Sequence, residues 1–169
     1  MKNIIIWGDT EDRILTDAII NTCEKYGGVS VFDGQRLYCS CDDPEFSICC
    51  TKCLREIGVE NAVVIIGYSA EKPDDVKWND DCICIIDSTD ERSVYCAEGC
   101  KNVIGCSMSE RDTIGICGCT DELNPMISLK RALRVGKRLI EPCDFIFPLA
   151  NFMPVFPLLA SSVVVLVDK

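Results

Sequence analysis

The sequence contains no histidine among its 169 residues and few residues that break regular structure, with 11 glycines and 7 prolines. The absence of histidine excludes catalytic triads and metal sites that depend on imidazole. The low glycine and proline content, together with 48% apolar residues, excludes collagen-like and disordered chains. A chain of this length can bury a core of its own, and we expect one domain over residues 1–169.

Positive charge is also scarce, because 17 basic residues stand against 27 acidic ones and the net charge is −10. This excess of negative charge argues against nucleic acid and anionic membrane surfaces as main partners. One basic cluster lies on a predicted β-hairpin and consists of Lys130, Arg131, Arg134, Lys137 and Arg138. It could bind an anionic ligand or an acidic partner, but basic side chains that protect an exposed strand edge are the simpler interpretation.

Long apolar runs are missing from the N-terminus, where residues 4–7 are followed at once by Gly8. A secretory signal needs a longer run, so we expect a cytoplasmic protein with reduced thiols. Residues 145–167 carry no charge and match the length of a bilayer span. Because Pro148, Pro154 and Pro157 interrupt this segment, it predicts a buried element of the domain, with a membrane anchor as the alternative.

Apolar runs and helical patterns alternate along the first two thirds of the chain. We predict strands over residues 3–7, 29–32, 62–66, 82–86 and 102–106, and helices over residues 11–26 and 44–57. Strands that alternate with helices at this spacing are typical of a mostly parallel sheet covered by helices.

The pattern changes after residue 106. Strands are predicted over residues 112–117, 126–135 and 139–147, with a hairpin turn at 135–138 and a final helix from about Pro154. The fold class is therefore α/β: a Rossmann-like, mostly parallel sheet with a C-terminal antiparallel β extension and a terminal helix. Within the single domain, residues 1–106 form the Rossmann-like half and residues 107–169 the β-hairpin extension and helix.

The 14 cysteines include several short-spaced pairs that resemble metal motifs. The best candidate ligand set is Cys39, Cys41, Cys50 and Cys53, which would suit zinc or an iron–sulfur cluster, and a cysteine-ligated metal or thiol redox protein is the alternative function. Spacing favours a simpler interpretation for most cysteines. On the predicted helix 44–57, the cysteines share one apolar stripe with Phe46, so they replace small hydrophobic residues of the core.

Candidate binding residues follow the predicted strands. The first turn, residues 8–12, has one glycine and three acids, and the chain has neither a Rossmann dinucleotide motif nor a phosphate-binding loop. Turns after parallel strands meet at one edge of a sheet. The expected ligand site there consists of Gly8, Asp9, Thr10, Gly67, Ser69, Asp87, Ser88 and Thr89. Hydroxyls and backbone amides would bind a small anionic ligand or a protein partner, and no cofactor is indicated.

Two segments resemble the end of the central domain of Mur ligases, the ATP-dependent enzymes that add amino acids to peptidoglycan precursors. They are residues 86–90 (Ile-Asp-Ser-Thr-Asp) and residues 103–114. Asp87 occupies the place of an asparagine that lies near the adenine site in that family, and the family's phosphate-binding loop is absent. The resemblance implies a shared fold and a link to cell-envelope metabolism, without ATP-dependent ligation.

A second similarity involves residues 106–114, 128–131 and 136–142. These segments are similar to sequence shared by a group of small uncharacterised proteins of Gram-positive anaerobes. Abundant reduced cysteine suits such a habitat, and the similarity implies a fold without an assigned activity. Together the observations favour a non-catalytic module that binds a small ligand or a protein.

Overall fold

The computed structural model describes residues 1–9, 13–121 and 123–168. Its helices are α1 (Arg13–Tyr26), α2 (Glu91–Cys96) and α3 (Val155–Asp168). The strands in chain order are β1 (Lys2–Trp7), β2 (Val29–Phe32), β3 (Leu37–Cys39), β4 (Phe46–Thr51), β5 (Val63–Ile66), β6 (Ile83–Asp87), β7 (Asn102–Cys106), β8 (Ile114–Cys119), β9 (Pro125–Leu129), β10 (Leu133–Val135), β11 (Arg138–Ile140) and β12 (Cys143–Ile146).

A ten-stranded sheet in the order β12-β9-β8-β7-β6-β5-β1-β4-β2-β3 organises the molecule. The seven central strands, from β8 to β2 in this order, are all parallel. The strands at the two edges are antiparallel to their neighbours: β3 to β2, β9 to β8, and β12 to β9. The strands β10 and β11 form a separate antiparallel hairpin. The expected α/β fold, with a mostly parallel sheet, an antiparallel extension and a terminal helix, is confirmed. The boundary at residue 106 stays a prediction.

The core lies on both faces of the sheet. One cluster of buried side chains joins the sheet to α1 and α3, and a second cluster on the other face includes the end of α2. The central strand β5 shows the consequence, since Val63 and Ile65 enter the first cluster while Val64 and Ile66 enter the second. A strand covered on both faces is apolar throughout, which is why its sequence is an unbroken apolar run.

The helix predicted over residues 44–57 is wrong. Phe46–Thr51 is instead the strand β4, which pairs in parallel with both β1 and β2. The same residues satisfy a period of two, since Phe46, Ile48 and Cys50 are buried while the residues between them are half-buried. A short apolar run fits both the helical period of 3.6 and the strand period of two. Here the segment forms a strand because it pairs with β1 on one side and with β2 on the other.

Smaller differences lie in the C-terminal part. The strand predicted over residues 126–135 divides into β9 and β10, and the one over 139–147 divides into β11 and β12. The predicted hairpin turn is confirmed, because Val135 pairs with Arg138 and Gly136 has a φ of +58°. A positive φ favours glycine, which lacks the Cβ that would clash there. The short elements β3 and α2 are absent from the sequence prediction.

Residues 155–167 of the uncharged C-terminal segment lie in α3, and eleven residues of this helix are buried on the side of α1 and the sheet. The interpretation as a core element is confirmed. No helix within residues 1–9, 13–121 and 123–168 is long and apolar enough to cross a membrane. The basic hairpin contacts the end of this helix, because Arg138 Nη2 donates to the carbonyls of Leu166 (3.3 Å) and Val167 (3.1 Å). Arg138 therefore caps helix carbonyls as well as covering a strand edge.

We expect Ser161→Ala to raise the free energy of unfolding by about 1 kcal/mol, because a buried hydroxyl without a hydrogen bond is costly. Ser161 is fully buried, and its Oγ has no hydrogen-bond partner among the described residues. Ser162→Ala is the matched control, since the equally buried Ser162 Oγ donates to the Leu159 carbonyl at 2.7 Å. Urea unfolding followed by circular dichroism measures both. Equal changes for the two variants would contradict this prediction.

Candidate functional site

Three turns lie side by side at the carboxyl edge of the parallel sheet, after β1, β5 and β6. The first two are joined by backbone and side-chain hydrogen bonds: Gly67 N donates to Trp7 O at 2.8 Å, and Asp9 N donates to Ser69 Oγ at 2.6 Å. These contacts follow from the strand order, in which β5 lies between β1 and β6. We call this edge, formed by residues 8–9, 67–69 and 87–89, the rim.

Gly8 allows the first two turns to approach each other closely. A Cβ atom at this position would lie 3.2 Å from Ser69 Oγ and 3.6 Å from Gly67 Cα. Ser69 would therefore have to shift if Gly8 carried a side chain. The glycine in the first turn has a packing reason, although the turn lacks the glycine-rich pattern of nucleotide-binding folds.

Asp87 is a buried polar group of the rim and is only 8% exposed. Its Oδ1 accepts hydrogen bonds from Thr89 N (2.9 Å) and Thr89 Oγ1 (2.6 Å), and its Oδ2 accepts one from Tyr68 Oη at 2.6 Å. The Tyr68 ring is half exposed and lies 5.9 Å from the Phe156 ring of α3. Tyr68 thus ties the second turn to the third and both to the terminal helix.

A second carboxylate, Asp112, lies beside the third turn and is 6% exposed. Ser107 Oγ donates a hydrogen bond to it, and Ser107 Oγ in turn accepts one from Ser109 N at 3.0 Å. A Cβ atom on Gly105 would lie 2.9 Å from Asp112 Oδ1 and 3.4 Å from Ser88 Cβ, which places Asp112 close to Ser88. Burial, together with the charges of Asp112 and Asp87, raises the pKa of the Cys106 thiol between them.

A basic side chain also reaches the rim. Lys52 Nζ lies 3.7 Å from Asp9 Oδ2 and 3.3 Å from Glu71 Oε1, and the hydrogen bond that Lys52 donates to Glu71, together with the charge of Glu71, raises the lysine pKa. Sequence reasoning missed Lys52 because it placed this residue on a helix. In the structure Lys52 follows β4, and β4 is the neighbour of β1, so the lysine reaches the first turn.

The structure brings together seven of the eight predicted site residues, and Thr10 lies outside the described residues. The seven are Gly8, Asp9, Gly67, Ser69, Asp87, Ser88 and Thr89. Sequence reasoning placed Tyr68 in the second turn without assigning it to the site, and it missed Ser107, Asp112 and Lys52. Tyr68 and Ser107 offered a signal, because each directly follows or lies within a turn after a predicted strand. Asp112 and Lys52 offered none, since their positions depend on strand order.

The predicted metal ligands do not form a cluster. Cys50 points into the core from β4, while Cys39, Cys41 and Cys53 are exposed. Cys39 Sγ instead donates to Ser30 Oγ at 3.4 Å. Over residues 1–9, 13–121 and 123–168, no three histidine, cysteine, aspartate or glutamate side chains are placed to hold a metal ion. Zinc and iron–sulfur coordination by these four cysteines therefore has no support in the geometry.

The exposed cysteines of β8, Cys117 and Cys119, line an apolar cavity of about 550 Å³. Phe152, which is 86% exposed, and Met108, which is 62% exposed, contribute to its walls. Cys117 Sγ donates to the Met126 carbonyl at 3.4 Å, so this thiol has a partner within the sheet.

Comparison with known proteins supports the fold but identifies no site residues. No sequence-family model matches the chain, and no curated protein matches it. One solved structure with a similar fold is a UDP-N-acetylmuramoyl-L-alanyl-D-glutamate–2,6-diaminopimelate ligase, at a TM-score of 0.54 and 7% sequence identity. The match covers 97% of this chain but 42% of the ligase, so the chain spans less than half of that enzyme's length. The chain shares a Rossmann-like fold with part of a Mur ligase.

Proposed function

We propose that the protein is a non-catalytic module that binds a small metabolite of cell-envelope chemistry at the rim. The observation that carries this proposal is the direct contact between the turns after β1, β5 and β6. Two hydrogen bonds hold these turns, which come from separate parts of the chain, in one arrangement. Tyr68 Oη donates to Asp87, and Asp9 N donates to Ser69 Oγ. Parallel α/β sheets bind their ligands at this edge.

The charges of the rim favour a ligand that presents ammonium or hydroxyl groups. Asp9 and Asp87 belong to the rim, Asp112 lies beside its third turn, and Lys52 is shared between Asp9 and Glu71. The hydroxyls of Tyr68 and Thr89 hydrogen-bond Asp87 without neutralising its charge. An ammonium group near these carboxylates would be stabilised, whereas an anion would be repelled.

The structural neighbour suggests which ammonium-bearing molecule to test. The name of that ligase includes 2,6-diaminopimelate, an amino acid with two ammonium groups and two carboxylates. We propose that its ammonium groups face the rim carboxylates and that Lys52 is available to one of its carboxylates. The anionic ligand expected from the sequence stays a prediction, and inorganic phosphate serves as the probe for it.

Isothermal titration calorimetry tests this proposal. We expect 2,6-diaminopimelate to bind the wild-type protein, and Asp87→Asn to weaken binding roughly tenfold or more, because a hydrogen bond to a charged group contributes about 1.5–3 kcal/mol. Asp80→Asn is the matched control and should leave binding unchanged. Asp80 is an exposed partner of Lys101 at 2.6 Å and precedes β6 at the opposite edge of the sheet.

Three results would contradict the proposal. The first is the absence of binding by 2,6-diaminopimelate. The second is an equal effect of Asp87→Asn and Asp80→Asn, which would place the ligand away from the rim. The third is binding of phosphate in preference to the diamine, which would favour the anionic ligand. Circular dichroism of each variant confirms that the fold is intact.

A further inference from the structure

Three cysteines meet at the amino edge of the sheet, at the end opposite to the rim. Cys82 directly precedes β6, Cys84 lies within it, and Cys100 precedes β7 by two residues. The strands β6 and β7 are neighbours, and Ile83 pairs with Asn102. We call Cys82, Cys84 and Cys100 the thiol cluster. None of the three belongs to the metal ligand set predicted from the sequence.

The contacts of the cluster centre on Cys100. Cys100 Sγ donates to the Cys82 carbonyl at 4.0 Å and to the Asn102 carbonyl at 3.7 Å, and the thiols of Cys82 and Cys84 lie close enough to shift its pKa. Cys82 and Cys84 are fully buried, whereas Cys100 is half-buried. A small reagent in solvent therefore reaches the cluster first at Cys100.

Cys100 differs from the other two thiols of the cluster in its pKa and in its access to solvent. Contact with Cys82 and Cys84 lowers the pKa of Cys100. Contact with Cys100, together with burial, raises the pKa of Cys82. The thiolate is the form of cysteine that reacts with peroxides, and reactive cysteines combine thiolate character, access to solvent and a neighbouring thiol. Cys100 has all three properties.

We propose that Cys100 is a site of oxidation by hydroperoxides and that Cys82 is its resolving thiol. The Cys100 sulfur attacks one oxygen of hydrogen peroxide, so that an S–O bond forms, the O–O bond breaks, and water leaves with the thiol proton. The Cys82 sulfur then attacks the Cys100 sulfenic acid, an S–S bond forms, and the hydroxyl leaves as water with the Cys82 proton. The two thiols lose two electrons, and one peroxide becomes two water molecules.

Cys82 is a better resolving thiol than Cys84 for a structural reason. Cys84 lies inside the sheet, paired with Val64 on one side and Val103 on the other, so its backbone cannot move without breaking both ladders. Cys82 lies outside the strand, after the turn in which its N donates to the Asn79 carbonyl.

Peptide mapping of the intact folded chain tests the proposal. After exposure to one equivalent of hydrogen peroxide and alkylation of the remaining thiols, we expect a Cys82–Cys100 disulfide, assigned by fragmentation of the linked tryptic peptides. Cys82→Ser removes the resolving thiol. We expect this variant to accumulate Cys100 sulfenic acid, trapped by dimedone, at least tenfold above the wild-type level.

Cys23→Ala is the matched control and should leave the disulfide yield unchanged. Cys23 is as buried as Cys82, but Lys2, Glu24 and Asp168 surround it instead of other thiols. The proposal is overturned if peroxide oxidises the exposed cysteines while Cys100 stays alkylated. It is also overturned if Cys82→Ser shows no dimedone adduct at Cys100. The disulfide yield and the dimedone adduct do not depend on ligand binding at the rim. Failure of this proposal can therefore be distinguished from failure of the proposed function.

Discussion

Replacing Trp7 by alanine is expected to lower the free energy of unfolding by about 3–5 kcal/mol. Trp7 is completely buried at the end of β1, and its ring lies 6.2 Å from the ring of Trp78. Its Nε1 donates a hydrogen bond to the Lys52 carbonyl at 3.0 Å. The substitution therefore removes a large buried side chain and leaves a carbonyl unpaired directly beside the rim. A loss of this size is a large part of the stability of an ordinary domain.

Urea unfolding followed by far-ultraviolet circular dichroism measures the change without depending on tryptophan fluorescence. Trp7→Phe is the informative control, because it keeps most of the ring packing and removes the donor to Lys52. We expect it to cost about 1–2 kcal/mol less than Trp7→Ala. Equal losses for the two variants would show that the hydrogen bond, and not the buried ring, carries the effect.

Leu159→Ala in α3 is expected to cost about 2–5 kcal/mol of unfolding free energy. Leu159 is completely buried in the cluster that joins α3 to α1 and to the sheet. Because the rest of this cluster is held by the sheet, we expect the cavity to close only in part. Val155→Ala at the start of the same helix is the control, since Val155 is 40% exposed and should cost less than about 1 kcal/mol.

The same urea experiment gives both values. Similar losses at Leu159 and Val155 would contradict the packing of α3 and would mean that neither face of the helix is preferentially buried. A loss at Leu159 alone would show that the uncharged C-terminal segment stabilises this domain.

The sequence correctly predicted the elements whose hydrophobic pattern fits only a helix or only a strand. The strand β1, the helix α1 and the strand β2 lie at or within two residues of their predicted bounds. The segment 44–57 has two interpretations, because Phe46, Cys49, Cys50 and Cys53 fit a helical stripe while Phe46, Ile48 and Cys50 fit a strand. Local spacing cannot choose between them, since the choice depends on the hydrogen bonds offered by β1 and β2.

Part of the candidate site was predictable from the sequence, and part was not. That turns after parallel strands share an edge is a general property of the fold class, so Gly8, Ser69 and Asp87 could be expected together. The hydrogen bond between Tyr68 and Asp87, and the approach of Lys52 to Asp9, could not. They require the order of the strands and the side-chain conformations at their ends.

The sequence by itself determined the fold class and the absence of imidazole chemistry, because each depends on composition or local periodicity. The expectation that most cysteines lie in the core is wrong, since six of the 14 are buried and six are exposed. The tertiary structure decided where the carboxylates and Lys52 lie relative to one another, and that Cys82, Cys84 and Cys100 meet at one edge. Strand order brings together residues that are far apart in the chain. Contacts of this kind are set by hydrogen-bonded pairing and burial on both faces of the sheet, which no local pattern contains.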